Sequence, residues 1–277
     1  MTTPTTYLFV PGNRPERFAK AFFSGADRVI VDLEDAVSPA DKASARVVLA
    51  AWLATLDERA REVVMVRIND AHSAWFHEDL AWLQTQPLHE VMLPKCESPQ
   101  QVQQVLAHLS PPARVLPLIE TARGVLALPD VASAPGVSRL AFGAIDYQLD
   151  LDLPGAGPAL DHAALCIALA SRAAELPAPV AGVTSALDGD AVTADMHHAR
   201  ALGYAAKLCI HPRQVEAVRQ ALRPCADELA WARRVVDAWE ASHNVGTVQV
   251  DGRMVDKPVL LRAERILAHA SLSQPAH

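Results

Sequence analysis

Several familiar signals are missing from this sequence of 277 residues. No run of 18 or more apolar residues occurs, so a transmembrane helix is not expected. The first ten residues, MTTPTTYLFV, lack a basic segment followed by a long apolar core, so no secretory signal is predicted. The four cysteines form no C-x-x-C pair, which argues against a zinc or disulfide scaffold. Scattered thiols favour a reducing, cytoplasmic location.

An excess of positive charge is also missing. The formal net charge of -7 argues against nucleic acid as the main partner. No G-x-G-x-x-G turn follows the first predicted strand, although a doubly wound dinucleotide-binding sheet would need one there. Hydrophobic residues make up 51% of the chain and charged residues 21%, as in an ordinary globular enzyme with a large core. The length fits one large barrel or two modest domains.

Eight short apolar runs alternate with longer segments of helical period. The runs are continuous rather than alternating, as expected for parallel strands that are buried on both faces. Their number and spacing predict a TIM (β/α)₈ barrel over residues 1–224, and one of the helices that follow a strand is predicted to be continuous from Pro39 to Arg59. The predicted strands are Tyr7–Val10, Arg28–Leu33, Val63–Ile68, Glu90–Lys95, Arg114–Glu120, Val137–Gly143, Val180–Ser185 and Ala206–Ile210.

Residues 225–277 follow a different pattern and are predicted to extend the same domain. Asp251-Gly252 is a turn pair suited to a two-residue hairpin, and Pro258 precedes a final helix. This C-terminal hairpin and helix extension is interpreted as a lid or an oligomer contact, with a passive terminal flap as the alternative.

Two acids stand where predicted strands end, one β/α unit apart. Glu120 closes the run from Val115 to Ile119, and Asp146 follows Leu140-Ala141-Phe142-Gly143. The carboxyl ends of barrel strands carry the active site in this fold. We therefore predict that Glu120 and Asp146 bind one Mg²⁺, a hard cation that uses one or two carboxylates and keeps waters for substrate to displace. The alternative for either acid alone is a helix N-cap.

Other strand-end residues are expected on the same face. Arg67 carries a planar fork that can bind a carboxylate, and with the metal it could stabilise the oxyanion of an enolate. Alternatives remain for most of these residues: the acids after the second strand could be loop residues or partners of Arg14 and Arg17, the lysines could form a Schiff base or ion pairs, and His211 could be a capping residue. The full set is Asp32, Glu34, Asp35, Arg67, Lys95, Glu120, Asp146, Lys207 and His211.

The sequence resembles the HpcH/HpaI aldolase and citrate lyase beta-subunit family along nearly its whole length. The matching segments occur in family order. They are L-F-V-P-G-N-R-P-E-R-F (8–18), V-D-L-E-D-A-V-S-P-A-D-K (31–42), V-R-I-N (66–69), L-P-K-C-E-S (93–98), L-P-L-I-E-T-A-R-G (116–124), K-L-C-I-H-P-R-Q-V (207–215) and D-G-R-M-V-D-K-P-V (251–259).

The resemblance implies a TIM barrel, often a homotrimer or homohexamer, that uses Mg²⁺ to cleave a 3-hydroxyacyl thioester into an acetyl thioester and a 2-oxo acid. Glu120 and Asp146 would be the metal ligands. Asp256 would be an acidic catalytic residue that the C-terminal segment delivers, often to a neighbouring subunit. Arg67 would be catalytic and would bind substrate together with Arg14, Glu34 and Lys95, and the segment with Arg14 and Arg17 would lie near the arm of coenzyme A or of an acyl carrier.

Two departures from the family pattern bear on the substrate. Ile145 stands where many members have an acid, and Val183-Thr184-Ser185 replaces a Y-T-D or F-T-D segment. The chain is therefore more similar to free-standing CoA-ester lyases, such as those acting on citramalyl-CoA, than to the citrate lyase subunit. Malyl-CoA and citryl thioesters remain candidate substrates. Alternatives are a citrate lyase beta subunit acting on an acyl carrier protein, a malate or citramalate synthase, a thioesterase, and a barrel that has lost its chemistry.

Overall fold

Eight parallel strands close into a barrel in the computed structural model, which describes residues 3–242 and 246–272. Each strand pairs with its neighbours in sequence, and β8 pairs with β1 to complete the ring. This arrangement confirms the predicted TIM barrel. The strands are β1 Thr6–Pro11, β2 Arg28–Asp32, β3 Val64–Arg67, β4 Glu90–Leu93, β5 Arg114–Ile119, β6 Ala141–Phe142, β7 Val180–Ala181 and β8 Ala206–Cys209.

Helices connect the strands and surround the barrel. Short 3₁₀ segments precede the first two helices, at Pro15–Arg17 and Pro39–Asp41. None of the helices within the described residues combines the length and apolar composition needed to cross a membrane. The α-helices up to the end of the barrel are α1 Phe18–Phe22, α2 Lys42–Thr55, α3 Glu58–Arg61, α4 Phe76–Leu83, α5 Pro99–Leu106, α6 Ala122–Leu126, α7 Leu128–Ala132, α8 Ala144–Asp150, α9 Pro158–Ala173, α10 Gly189–Ala201 and α11 Pro212–Leu222.

The predicted continuous helix from Pro39 to Arg59 is wrong. It ends at Thr55, and a new helix begins after Asp57, whose side chain accepts a hydrogen bond from the backbone N–H of Ala60 at 2.7 Å. An aspartate that caps a helix in this way satisfies an otherwise unpaired N–H group. The interruption therefore follows from local capping chemistry.

The interior of the barrel is apolar and fully buried. Alternate residues of each strand point inwards, so that every strand contributes to one cluster and leaves its other residues for the helices. The members of the interior cluster are Tyr7, Ile30, Met65, Met92, Leu116, Leu118, Ala141, Val180, Ala206 and Leu208, with Phe9 and Val183 packed against them. This rigid centre holds the carboxyl ends of the strands in fixed positions around one opening.

The chain divides into two compact units. The first, Thr3–Arg219, is the barrel, and the second begins at Gln220. In the second unit α12 (Ala226–Ala241) packs against α13 (Lys257–Leu272). The two helices share a small apolar core with a two-stranded hairpin of β9 (Val248–Val250) and β10 (Arg253–Val255). The hairpin turns at Asp251 and Gly252, which both have positive φ, as the sequence predicted.

Candidate active site

A buried ion pair joins the ends of β2 and β3. Nε and Nη2 of Arg67 each donate a hydrogen bond of 2.7 Å to the two oxygens of Asp32. The same carboxylate accepts the backbone N–H groups of Glu34 and Ala36 at 2.9 and 3.0 Å. The ring of Phe9 lies 4.9 Å from the guanidinium carbon. Arg67 therefore reaches the barrel mouth with its orientation fixed from two sides.

This arrangement corrects one expectation for Arg67. The sequence predicted a fork open to a substrate carboxylate, but the fork is occupied by Asp32 of the protein itself. Nη1 is turned instead towards Glu34 and Asp35, at 2.9 and 3.8 Å. The remaining N–H bonds of Nη1 and Nη2 are the ones that can serve a ligand.

Lys95 links two acids that come from different strands. It follows β4 with a positive φ of 47°, and its backbone N–H donates to Oε1 of Glu120 at 2.9 Å. Its Nζ lies 2.5 Å from Oε1 of Glu34 and 3.9 Å from Oε1 of Glu120. Burial alone would lower the pKa of Lys95, but Glu34 and Glu120 hold it above its ordinary value. The amine is therefore protonated, which argues against the Schiff-base alternative at this position.

Glu120 is as deeply buried as Asp32, with 1% of its surface exposed. Gly143, at the N-terminus of α8, lies directly beside it. A Cβ atom on that glycine would be 2.1 Å from Oε2 of Glu120. Asp146 lies in the first turn of α8 and is half-buried. Gly143 therefore leaves room for the Glu120 side chain, and Asp146 provides a second carboxylate that is electrostatically coupled to it.

Burial and the repulsion between neighbouring acids raise the pKa values of two carboxyl groups at the mouth. Burial raises the pKa of Glu120 to about 8, with further contributions from the charges of Glu34 and Asp146. Burial likewise raises the pKa of Glu34 to about 7, against the opposing effects of Arg67 and Lys95. Asp32 differs: burial would raise its pKa, but Arg67 and two backbone N–H groups hold it below its ordinary value. Negative charge is thus concentrated around Glu120 more than the nearby cations offset.

The chemistry of this cluster fits a hydrated divalent cation. Glu120 and Asp146 are hard oxygen ligands, and Mg²⁺ is commonly bound by one or two carboxylates with water and substrate completing its shell. Oε2 of Glu34 is buried without a hydrogen-bond partner, although Nη1 of Arg67 is near it. Within residues 3–242 and 246–272, no group of three or more His, Cys, Asp or Glu side chains is arranged to hold a metal by itself. The donor set is therefore too small for a closed structural site and suits an open one.

A second feature of the barrel mouth is a groove of about 440 Å³ beside the end of β1. Apolar residues of β1 form part of its lining, and cationic and imidazole side chains stand along it. His211 accepts the backbone N–H of Arg213 at 3.1 Å, as the capping alternative predicted. Arg14 is exposed in the loop that follows β1. The polar and apolar residues of the groove include Phe9, Arg17, Lys20, Ile210 and His211.

Known proteins match this chain over most of its length. The family model described as HpcH/HpaI aldolase/citrate lyase matches residues 5–212. The chain belongs to the HpcH/HpaI aldolase/citrate lyase family. A citrate lyase subunit beta-like protein of Deinococcus radiodurans is 38% identical over 273 residues, which cover 95% of each chain. A (3S)-malyl-CoA thioesterase of Cereibacter sphaeroides is 32% identical over 269 residues, covering 95% of this chain and 93% of the relative.

A solved structure agrees with both the fold and the sequence. CitE from Mycobacterium tuberculosis, in complex with magnesium, acetoacetate and coenzyme A, has a TM-score of 0.87 and 36% identity. The match covers 98% of this chain and 99% of that chain. The predicted family, fold and lyase-type enzyme class are therefore confirmed at the level of the HpcH/HpaI aldolase/citrate lyase family.

Lys207 does not belong to the mouth of this family member's barrel, contrary to the sequence expectation. Ala206 and Leu208 face the interior, so Lys207 between them points to the helices. Its Nζ donates to Oδ2 of Asp195 on α10 at 2.7 Å and to the carbonyl of Gly182 at 2.6 Å. The residue is an ion-pair partner of Asp195, which was the alternative to a Schiff-base lysine at this position.

Asp256 lies in the second unit, between β10 and α13. Its Oδ1 accepts the backbone N–H of Val259 at 3.2 Å, so it helps to cap α13. One carboxylate oxygen can satisfy such a cap while the other is available for acid–base chemistry. The catalytic role assigned to Asp256 from the resemblance to the HpcH/HpaI aldolase/citrate lyase family stays a prediction.

Three residues that shape the site were missed by the sequence reasoning. Phe9 supports Arg67, Gly143 gives space to Glu120, and Lys42 holds the loop after β2. Gly143 had a usable signal, because a glycine directly after a buried strand often marks a close approach. Lys42 and Phe9 had none, since only the folded chain shows which partner each contacts.

Proposed function

We propose that the protein is a Mg²⁺-dependent carbon–carbon lyase that cleaves a 3-hydroxyacyl CoA thioester into acetyl-CoA and a 2-oxo acid. The observation that carries this proposal is the buried Glu120, electrostatically coupled to the half-buried Asp146, beside a fixed Arg67 at the mouth of the barrel. The M. tuberculosis relative, solved with magnesium, acetoacetate and coenzyme A, supports the same combination of ligands.

Glu120 and Asp146 are the proposed metal ligands. The cation would polarise the hydroxyl and carboxylate oxygens of the substrate acid, which is the usual Lewis-acid contribution. Oε2 of Glu34 lies 2.9 Å from Nη1 of Arg67 within the same buried cluster, and it is suited to accept a hydrogen bond from a water or a substrate hydroxyl as well. A bound cation would offset the repulsion of Glu120 by Glu34 and Asp146, and this electrostatic gain favours cation binding.

Arg67 and Lys95 are the proposed positive partners of the substrate. Arg67 is held by Asp32 and Phe9, so its remaining N–H groups need no reorganisation to donate to the carboxylate or to a developing oxyanion. During cleavage the substrate hydroxyl releases its proton to water, the carbinol carbon becomes the carbonyl carbon of the 2-oxo acid, and its bond to the neighbouring methylene breaks. The methylene becomes the enolate carbon of acetyl-CoA and takes up a proton, so no co-reactant is consumed.

Asp256 is the proposed source of that proton. In the related family the C-terminal segment often serves a neighbouring subunit, so we propose a homotrimer or homohexamer in which Asp256 acts on the barrel of another copy. Mixed oligomers of Glu120→Gln and Asp256→Asn chains test this directly. Glu120→Gln alone is expected to be inactive and Asp256→Asn alone to be about 10²-fold slower than the wild type, whereas a mixture assembled from unfolded or co-expressed chains is expected to regain part of the wild-type turnover. If turnover does not recover in the mixture, either Asp256 and Glu120 of one chain act in the same site or Asp256 takes no part in the reaction.

The groove beside β1 is the proposed site for the thioester arm. Its apolar floor suits a pantetheine chain, and Arg17, Lys20 and the nearby Arg14 carry positive charge for phosphate groups. The apolar Ile145 next to Asp146 favours a substrate with a methyl group over one with a second carboxylate. We therefore place citramalyl-CoA ahead of citryl-CoA, and malyl-CoA, which has a hydrogen in place of the methyl group, is compared with both in the assay.

The decisive experiment incubates the purified protein with citramalyl-CoA, malyl-CoA and citryl-CoA, each with Mg²⁺ or with EDTA. We expect acetyl-CoA and the matching 2-oxo acid in Mg²⁺ and none in EDTA, with no turnover by Glu120→Gln and normal turnover by the surface variant Glu62→Gln. Cleavage that persists fully in EDTA, or no cleavage of any of the three, would overturn the proposal.

Thioester hydrolysis is the second candidate, because one relative is named a (3S)-malyl-CoA thioesterase. The same assay separates the two reactions by their products. Hydrolysis releases free CoA and the intact hydroxy acid, whereas cleavage gives acetyl-CoA and a 2-oxo acid. Replacing CoA with a phosphopantetheinylated carrier protein in the assay tests the citrate lyase beta-subunit alternative.

A further inference from the structure

Lys42 is a buried cation that the reaction proposed above does not use. It is the first residue of α2 and has 5% of its surface exposed. A positive charge at a helix N-terminus is unfavourable for the helix dipole, and lysine is rarely buried unless it is paired. The local structure of α2 therefore gives no reason for a lysine at this position.

The contacts of Lys42 lie on the loop that follows β2. Its Nζ donates to the backbone carbonyls of Leu33 and Glu34, both at 2.8 Å, and lies 5.0 Å from the centre of the Trp75 ring. Among the residues that the structure describes, no carboxylate comes within ion-pair distance of this ammonium group. Two carbonyl dipoles and a ring face contact the charge directly, and the carboxylates of Asp32 and Asp79 act on it from a greater distance.

The same loop is held from its other side by Asp32. The carboxylate of Asp32 accepts the N–H groups of Glu34 and Ala36, while Lys42 binds the carbonyls of Leu33 and Glu34. Both polar groups of the Glu34 backbone are thus fixed by side chains. Because the backbone sets the direction of the Cα–Cβ bond, the Glu34 carboxylate is aimed at Lys95 and Arg67, at 2.5 and 2.9 Å.

We infer that Lys42 is a positioning residue, which holds the Glu34 loop so that Arg67 and Lys95 are aligned for substrate. It touches neither the predicted metal ligands nor the groove. This inference rests on the proposed function for its catalytic consequence, but the effect on the loop itself does not depend on it.

The test compares Lys42→Met and Lys42→Arg with the wild type and with Arg59→Met, which removes a positive charge from the exposed surface of α3. Hydrogen exchange followed by mass spectrometry reports on the segment 33–41. We expect faster exchange there in Lys42→Met, with a segment from β8 and α11 unchanged. Lys42→Arg, which keeps a charged donor, is expected to retain more of the protection.

Activity and binding measurements separate positioning from simple stability. We expect kcat of folded Lys42→Met to fall on the order of 10²-fold, as for a misplaced catalytic constellation, while the Kd for Mg²⁺ measured by calorimetry stays within about twofold of the wild type. Lys42→Arg should recover part of kcat. Where Lys42→Met does not fold, Lys42→Gln, which keeps one donor, is used instead.

Two outcomes would overturn the role of Lys42. One is unchanged exchange over 33–41 in Lys42→Met, and the other is a loosened loop with wild-type kcat. If the wild type cleaves no thioester, the proposed function fails, and pyruvate binding in the presence of Mg²⁺ takes the place of kcat. Weaker pyruvate binding by Lys42→Met than by Arg59→Met supports the positioning role, and equal binding refutes it.

Discussion

Replacing Glu120 with glutamine should make the metal-free protein more stable at alkaline pH. Burial and the neighbouring acids raise the pKa of Glu120 from an ordinary value of 4.5 to about 8 in the folded state. The folded protein therefore holds a proton that the unfolded chain releases as the pH rises above 4.5. The loss of folding stability caused by ionised Glu120 is absent below pH 4.5. It grows as the pH rises from 4.5 to about 8, and it is complete above about pH 8.

The magnitude follows from the two pKa values. A difference of about 3.5 corresponds to roughly 5 kcal/mol, at about 1.4 kcal/mol for each pH unit. Glu34 and Asp146 share the repulsion, so the gain from Glu120→Gln alone should be on the order of 3–5 kcal/mol at pH 8.5. At pH 5 the ionised form contributes little and the two proteins should differ much less. Mg²⁺ should stabilise the wild type and leave Glu120→Gln unchanged, because the ion binds only the folded site.

Urea unfolding followed by circular dichroism, at pH 5, 7 and 8.5 in EDTA and in Mg²⁺, measures these differences. The surface variant Glu62→Gln controls for the pH dependence that all carboxylates share. The reasoning is refuted if Glu120→Gln is less stable than the wild type at pH 8.5 in EDTA, or if the difference between the two does not change from pH 5 to pH 8.5.

Substitutions at three further positions test other parts of the site. Gly143→Ala should weaken Mg²⁺ binding by about 10–100-fold in calorimetry, because the new methyl group would be 2.1 Å from Oε2 of Glu120; a normal Kd would show that the carboxylate adjusts freely. Asp256→Asn should keep the helix cap and its melting temperature but lower kcat by about 10²-fold, whereas Asp256→Ala should also lose about 1 kcal/mol of stability. If kcat is normal in Asp256→Asn, the residue is only a cap. Asp32→Asn should cost about 3–5 kcal/mol in urea unfolding at pH 7 by leaving Arg67 buried without its partner, and a loss below 1 kcal/mol would contradict that pairing.

The barrel could be predicted from the sequence because parallel strands buried on both faces leave a strong signal. All eight apolar runs overlap the observed strands. The bounds of the strands were predicted less well. Val137–Gly143 was predicted as one strand, but regular pairing covers only Ala141–Phe142, and Val137 forms an isolated bridge. Hydrophobicity does not show where within an apolar run the regular ladder begins.

The site was predictable as a set of strand-end residues, but their partners were not. Glu120, Asp146, Lys95 and Arg67 could be assigned to one face because strand ends converge. Lys207 was wrongly assigned to the opening because Ala206 and Leu208 take the interior positions of β8, and the alternation along a strand then turns Lys207 towards the helices. The choice of Asp32 as the partner of Arg67 depends on side-chain directions that spacing along the chain does not encode.

The backbone at Lys95 has a consequence for how this site can change. A left-handed φ costs a non-glycine residue on the order of 1 kcal/mol or more, and glycine would adopt it freely. Glycine would keep the amide that reaches Glu120 but remove the ammonium group that reaches Glu34. Lysine at position 95 therefore provides a positive charge beside Glu34 but adopts a strained backbone conformation. Comparing glycine with alanine at this position measures the backbone strain separately from the loss of the charge.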